Sequence, residues 1–251
     1  MAAGQAAPVI EVRPLTGIAE YREVVRLQRE IWGFSELDSL PVRLFVVANK
    51  IGGQTFGAFD GTRMIGFCVA LPALKPGGGH YLHSNMAGVE EPYRNLGIGK
   101  RLKLAQRADA LSRGIPSIEW TFDPLEIRNA YFNMEKLGAV VRRYVLNQYG
   151  VTSSALHGGL PTDRCVAEWD LASERVQVIL AGRVSPRPET RARIEVPAGI
   201  AELRARDPRR ARAIQENISN QFLEYFRAGL AVTGVERNED AGVYLLSRWD
   251  T

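Results

Sequence analysis

Tyr93-Arg94-Asn95-Leu96-Gly97-Ile98-Gly99-Lys100-Arg101 stands between residues 81–89, which read as a strand, and residues 98–113, whose apolar spacing is that of an amphipathic helix. Glycine at 97 and 99 permits dihedrals closed to other residues and removes the side chains that would keep a ligand from the backbone. At such a junction the first amides of the helix have no partner within it. The helix dipole adds about half a positive charge. Lys100 and Arg101 add cations, so the stretch is suited to a diphosphate held on backbone N–H groups. A Walker loop would need glycine in place of Arg94 and Ser or Thr in place of Arg101. A dinucleotide GxGxxG loop would need glycine in place of Leu102.

Working outward, residues 10–15 read as a strand and 18–31 as a helix stopped by Gly33, and Pro41 opens a second short helix. Asp60-Gly61 is a hairpin turn between strands at 55–59 and 64–71. Residues 117–122 form a further strand. Asp123-Pro124 then reads as the cap of a helix running to Leu137, with Gly138 behind it and strands at 140–146 and 166–171 after that. This order predicts an α/β (α+β mixed) fold, a mostly antiparallel sheet flanked by helices.

Residues 183–212 carry nine arginines and several prolines and read as a connector. Asp207-Pro208 caps a helix with Ala211, Ile214, Ile218, Phe222 and Phe226 on one stripe, followed by strands at 232–237 and 242–247. The expected domains are therefore 8–172 and a C-terminal extension, 173–251. The extension is expected to pack on the main domain or on a second copy of the chain, which would make a homodimer. AYFNMEKLGAVV around Tyr131 echoes EYFRAGLAVTGV around Tyr225, a similarity too short to argue duplication and read as coincidence.

The 251 residues are 45% hydrophobic and 24% charged, an ordinary soluble balance. No apolar run reaches the roughly 18 residues of a membrane helix, and the start MAAGQAAPVIEVRP lacks the pattern of an export signal. The expected location is the cytoplasm, with no membrane partner. Cys68 and Cys165 are expected to be reduced thiols. His80, His83 and His157 lack ligand spacing, so no metal is expected. The net charge of +4 is carried mostly by arginine, and the arginine-rich stretch lacks aromatic platforms, so nucleic acid is not the expected partner.

R-x-x-G-x-G, residues 94–99, resembles the pyrophosphate-binding motif of the GNAT superfamily of N-acetyltransferases. Val89-Glu90-Glu91-Pro92-Tyr93-Arg94 resembles the end of that family's fourth strand, and AYFNMEKLGA, residues 130–139, its later helix. Across residues 10–171 the chain is similar to an uncharacterised branch of predicted acetyltransferases, on WTFDPLEIRNAYFNMEKLGA and HGGLPTDR.

The resemblance implies a sheet splayed between its fourth and fifth strands, acetyl-CoA as co-substrate and direct attack by an amine, of a small molecule or a protein. Arg94, Asn95, Leu96, Gly97, Ile98, Gly99 and Lys100 would hold the diphosphate. The pantetheine arm would run past Met86, Ala87 and Val89, with the thioester near residues 85–87 and a backbone N–H there facing the oxyanion. Candidates for proton transfer are Glu119, Asp123 and Tyr131, each with a plainer reading as strand carboxylate, helix cap and core tyrosine. Asn129 and Asn133 are candidate cofactor contacts, and His83, Asp163 and Arg164 candidate acceptor contacts. Trp120 and Phe122 read as core. Where many members carry a tyrosine acid this chain has Met134, and where they carry an asparagine it has Ile127. A second reading is thus a CoA-binding module without catalysis.

Overall fold

In a computed structural model of the chain, residues 9–150 and 160–249 are described. They fall into two compact units that meet in sequence between Ile115 and Pro116. In the first, β1 (Ile10–Pro14), β2 (Gln54–Asp60), β3 (Arg63–Leu74) and β4 (His80–Val89) pair in that order, each antiparallel to the next. The predicted hairpin forms with Gly61 at φ 57°.

Helices α1 (Ile18–Trp32), α2 (Val42–Lys50) and α3 (Ile98–Ser112) complete the first unit. Gly33, left-handed at φ 67°, closes α1 as expected, its N–H bonding the Arg29 carbonyl. Tyr21, Val24 and Leu27 of α1 and Phe45 of α2 pack with Phe59, Phe67 and Val69. Ile98 and Leu102 of α3 pack with a separate set of sheet residues, Phe56, Ala58, Ile65 and Cys68. Cys68 and Cys165 are both buried free thiols.

The second unit holds β5 (Ser117–Phe122), α4 (Ile127–Tyr131), β6 (Val140–Val145), β7 (Arg164–Asp170), α5 (Glu174–Leu180), β8 (Ala192–Pro197), α6 (Ile200–Arg206), α7 (Pro208–Arg227), β9 (Leu230–Arg237) and β10 (Ala241–Arg248). The strand order is β5-β7-β6-β9-β10-β8, with every neighbouring pair antiparallel. Asp207 caps α7 as expected, accepting from the Arg210 N–H at 3.0 Å. Ala211, Ile218 and Phe222 on its stripe are buried.

Two expectations are corrected. The connector at 183–212 contains β8 and α6; in β8 only Ile194 and Val196 turn inward, so the alternating pattern is hidden behind its charged residues. The helix expected from Asp123 begins at Ile127, and its last turn, Phe132–Leu137, is a π-helix closed by Gly138 at φ 82°. The short echo between residues 130–141 and 224–235 falls within two stretches of like element order, though not in the same register. Strand, helix, strand, strand occurs twice, as β5-α4-β6-β7 and as β8-α7-β9-β10, with α6 inserted in the second copy.

Candidate functional site

The glycine segment lies in the first unit, between a 3-10 turn at Glu91–Tyr93 and α3. Asn95 (φ 65°) and Gly97 (φ 77°) are both left-handed, and Gly97 is the residue from which α3 starts. The Arg101 N–H bonds the Gly97 carbonyl at 3.1 Å as the first turn of the helix closes, so the amides before it form the open end of α3. A Cβ built at Gly97 or Gly99 would have no neighbour within 4 Å. Arg94, Asn95, Leu96 and Gly97 are exposed, Gly99 and Lys100 half-buried. The backbone here borders open space, as a diphosphate on main-chain amides requires.

Side chains around the segment fix it from below. Ile98 is 2% exposed and anchors α3 against the sheet. The Tyr93 hydroxyl donates to Asp60 at 2.8 Å, and Arg94 Nε donates to the Val89 carbonyl at 3.3 Å. Arg101 turns its guanidinium to the Ile10 carbonyl, so its charge is committed to β1. Glu90, buried just before the turn, accepts from Arg26 at 3.1 Å and Arg63 at 2.8 Å.

β4 is irregular where the thioester is expected. Ala70 pairs with Ser84 and Val69 with Met86, so Asn85 is an extra residue bulged out of the ladder. Beyond it Cys68 pairs with Ala87 and Gly66 with Val89. Ala87 is exposed, while His83, Met86 and Val89 are half-buried. Such a bulge re-aims backbone groups that a regular ladder would consume.

Beneath β4, on the inner face of α3, lies a polar chain that the sequence reading did not single out. Lys103, 4% exposed, donates to Ser84 Oγ at 2.7 Å, and Ser84 donates to Gln106 Oε1 at 3.0 Å. Burial lowers the Lys103 pKa to about 8 and raises that of the neighbouring Cys68 to about 12. The available signal was phase: 98, 102, 103, 106 and 110 form the buried stripe of α3, and Lys103 stands within it.

In the second unit Asp123 is not a helix cap. Its Oδ1 accepts from the Leu125 N–H at 2.8 Å and its Oδ2 from Arg204 Nη2 of α6 at 2.7 Å. Arg204 Nη1 also lies 3.5 Å from Glu126, whose pKa is raised by partial burial and by Asp123. The Tyr244 hydroxyl of β10 donates to the Pro124 carbonyl at 2.6 Å, holding the same turn.

Glu119 is buried and ion-paired to Arg143, which also reaches Glu168 at 3.1 Å. Tyr131 is half-buried, with Lys136 and Arg237 at 5.4 and 5.6 Å from its ring. Asn129 is exposed; Asn133 is 1% exposed and accepts from Trp120 Nε1 at 3.3 Å. Asp163 accepts from the Asn147 N–H at 2.8 Å and Ser219 Oγ at 2.7 Å. Arg164 is buried, donates to the Asp163 carbonyl at 3.0 Å and lies 5.4 Å from the Tyr149 ring. Burial pulls the Arg164 pKa down. His157 lies outside the described residues. Trp120 and Phe122 are core, as expected.

The two departures acquire reasons. Met134 is fully buried in the π-turn. Ile127 covers Gly242 of β10, where an added methyl would fall 2.2 Å from Ile127 Cγ2.

No family model and no curated protein matches the chain. Among solved structures it is similar to Arabidopsis thaliana NAA60 in complex with acetyl-CoA, at 15% identity over 64% of this chain and 99% of that one, with a TM-score of 0.52. It is similar to the ribosomal-protein-S18-alanine N-acetyltransferase from Escherichia coli, at 13% identity over 66% and 97%, TM-score 0.52. It is also similar to a Desulfovibrio desulfuricans protein assigned to the GNAT family of acetyltransferases, at 13% identity over 65% and 100%, TM-score 0.51. The fold is that of the GNAT acetyltransferases. The GNAT likeness leaves about a third of the chain uncovered.

Proposed function

We propose that the chain is an acyl-CoA-dependent N-acetyltransferase. The observation that carries the reading is the left-handed turn at Asn95 and Gly97, opening onto unfilled space at the start of α3 and preceded by the bulge at Asn85. Residues 94–100 would hold the diphosphate of acetyl-CoA, and Met86, Ala87 and Val89 would line its pantetheine arm. Acetyl-CoA supplies an activated acyl group. The chain supplies orientation, amides for the developing oxyanion and a route for the acceptor's proton. One well-placed oxyanion donor is worth on the order of 2.7–4 kcal/mol of barrier.

The acceptor is an amine, of a small molecule or a protein. It must be neutral to attack, and an amine with a solution pKa near 10 must first lose its proton. Buried Met134 carries no proton to give, so the departing thiol, with a pKa of about 8.5, leaves as thiolate or is protonated by water. The missing acid at position 134 favours one competing reading, a module that binds CoA without turnover. Thiol release from acetyl-CoA across a panel of small amines and peptide N-termini separates the two. Amine-dependent release supports the transferase, and binding without release over the whole panel supports the module.

A further inference from the structure

We propose that Lys103 is a positioning residue for acyl transfer, holding the bulged segment of β4 through Ser84 and setting a positive charge behind it. The inference rests on the acyltransferase reading above. A helix face packed on a sheet is ordinarily apolar, because an ammonium loses its hydration there. α3 nevertheless turns Lys103 and Gln106 inward, between Leu102 and Ala110. The orientation of the chain is settled by its ends: Lys103 can only donate, so Ser84 Oγ accepts from it and passes its own hydrogen to Gln106 Oε1.

Ser84 is the residue immediately before the bulge, and its carbonyl carbon forms the peptide that carries the Asn85 N–H. Gripping Ser84 therefore fixes the plane of the first bulged peptide. In the proposed reaction negative charge develops along this part of β4, and a cation in a poorly hydrated interior acts on it far more strongly than one in water.

On β3 the Cys68 thiol has its pKa raised to about 12 and is neutral below that. On β2, Gln54 donates to Asp109 at 2.7 Å and to the Gln106 carbonyl at 2.9 Å, and Asp109 is further paired with Arg113 at 2.6 Å. On β1 the Ile10 carbonyl is occupied by Arg101. The lowered pKa of about 8 means that Lys103 titrates within the range of an ordinary assay.

The test compares wild type with Lys103→Met and Lys103→Gln, the latter keeping a hydrogen-bond donor without the charge. Each is assayed for kcat and KM for acetyl-CoA from pH 6 to 10, with melting temperature alongside. The Met variant is expected to lose at least tenfold in kcat with KM changed less than twofold and no fall in melting temperature, and the Gln variant to recover part of the loss. The ratio of wild-type to Met kcat should decline above about pH 8. Equal kcat and parallel pH profiles, or a loss that tracks a lower melting temperature with no change in that ratio, would overturn the inference while leaving the transferase standing. A wild type that neither binds nor turns over acetyl-CoA would remove both.

Discussion

Val141 of β6 faces Val232 of β9 across an antiparallel pair, and each stands three residues after a left-handed glycine, Gly138 at φ 82° and Gly229 at φ 77°. When like positions of two antiparallel strands meet, a local two-fold axis passes between them. The strand order β5-β7-β6 is met by β9-β10-β8, the same arrangement read in reverse. The helices also reach across, α4 packing on β9 and α7 on β6 as well as on its own β8 and β9. The C-terminal part of the second unit thus stands to the preceding part as one subunit of a two-fold pair stands to its mate.

α7 and β9 tie the extension to β6. Phe222 of α7, fully buried, lies 5.0 Å from the Tyr144 ring of β6 and 5.1 Å from the Tyr244 ring of β10. Phe222→Ala should cost about 3–5 kcal/mol in denaturant unfolding. Ending the chain after residue 172 bares the edge of β6 and should give aggregated protein on size exclusion. A soluble, cooperatively melting 1–172 fragment would contradict the mutual-support account.

The Arg204–Asp123 pair is nearly dry, with the two side chains 6% and 13% exposed. Removing Arg204 strands the Asp123 charge, so Arg204→Ala should destabilise by about 3–5 kcal/mol. Asp123→Ala should cost less, since Glu126 stays 3.5 Å from Arg204, and the double variant less than the sum. Additive losses in urea unfolding would mean that the two side chains act separately.

Lys103 gives stability a defined pH dependence. Its folded pKa of about 8 lies below its ordinary 10.5, so between these values the unfolded chain binds more protons and stability rises with pH. The cost of the buried charge is fully present below pH 8 and relieved toward pH 10.5. The lowering is worth on the order of 3 kcal/mol. Lys103→Met should be more stable than wild type at pH 7, the gap closing as the pH is raised. An equal gap at pH 7 and pH 10 in urea unfolding would refute this.

What could be read from sequence was local. The turn before α3 needs only glycine at 97 and a helical phase after it, and the hairpin needs only Asp60-Gly61. The bulge at Asn85 is a relation between two strands, and nothing in His83-Ser84-Asn85-Met86 announces it. Asp123-Pro124 carries the letters of a helix cap, but the carboxylate is claimed by Arg204, 81 residues away, and the helix starts later. In β8 an ordinary strand pointing Arg193 and Glu195 outward passed for a linker.

On the proposed function, the bare backbone at Gly97 and Gly99 grips the diphosphate of acetyl-CoA. The most direct measurement is thermal denaturation with acetyl-CoA for wild type and Gly99→Glu, whose carboxylate would enter the open space beside the helix start. At 100 times its dissociation constant a ligand stabilises by about 2.7 kcal/mol, a shift of roughly 5–10 °C for a chain of this size. Wild type is expected to show that shift and Gly99→Glu to lose it, with the variant's ligand-free melting temperature unchanged. No shift in wild type with any acyl-CoA, or an equal shift in both proteins, would contradict it.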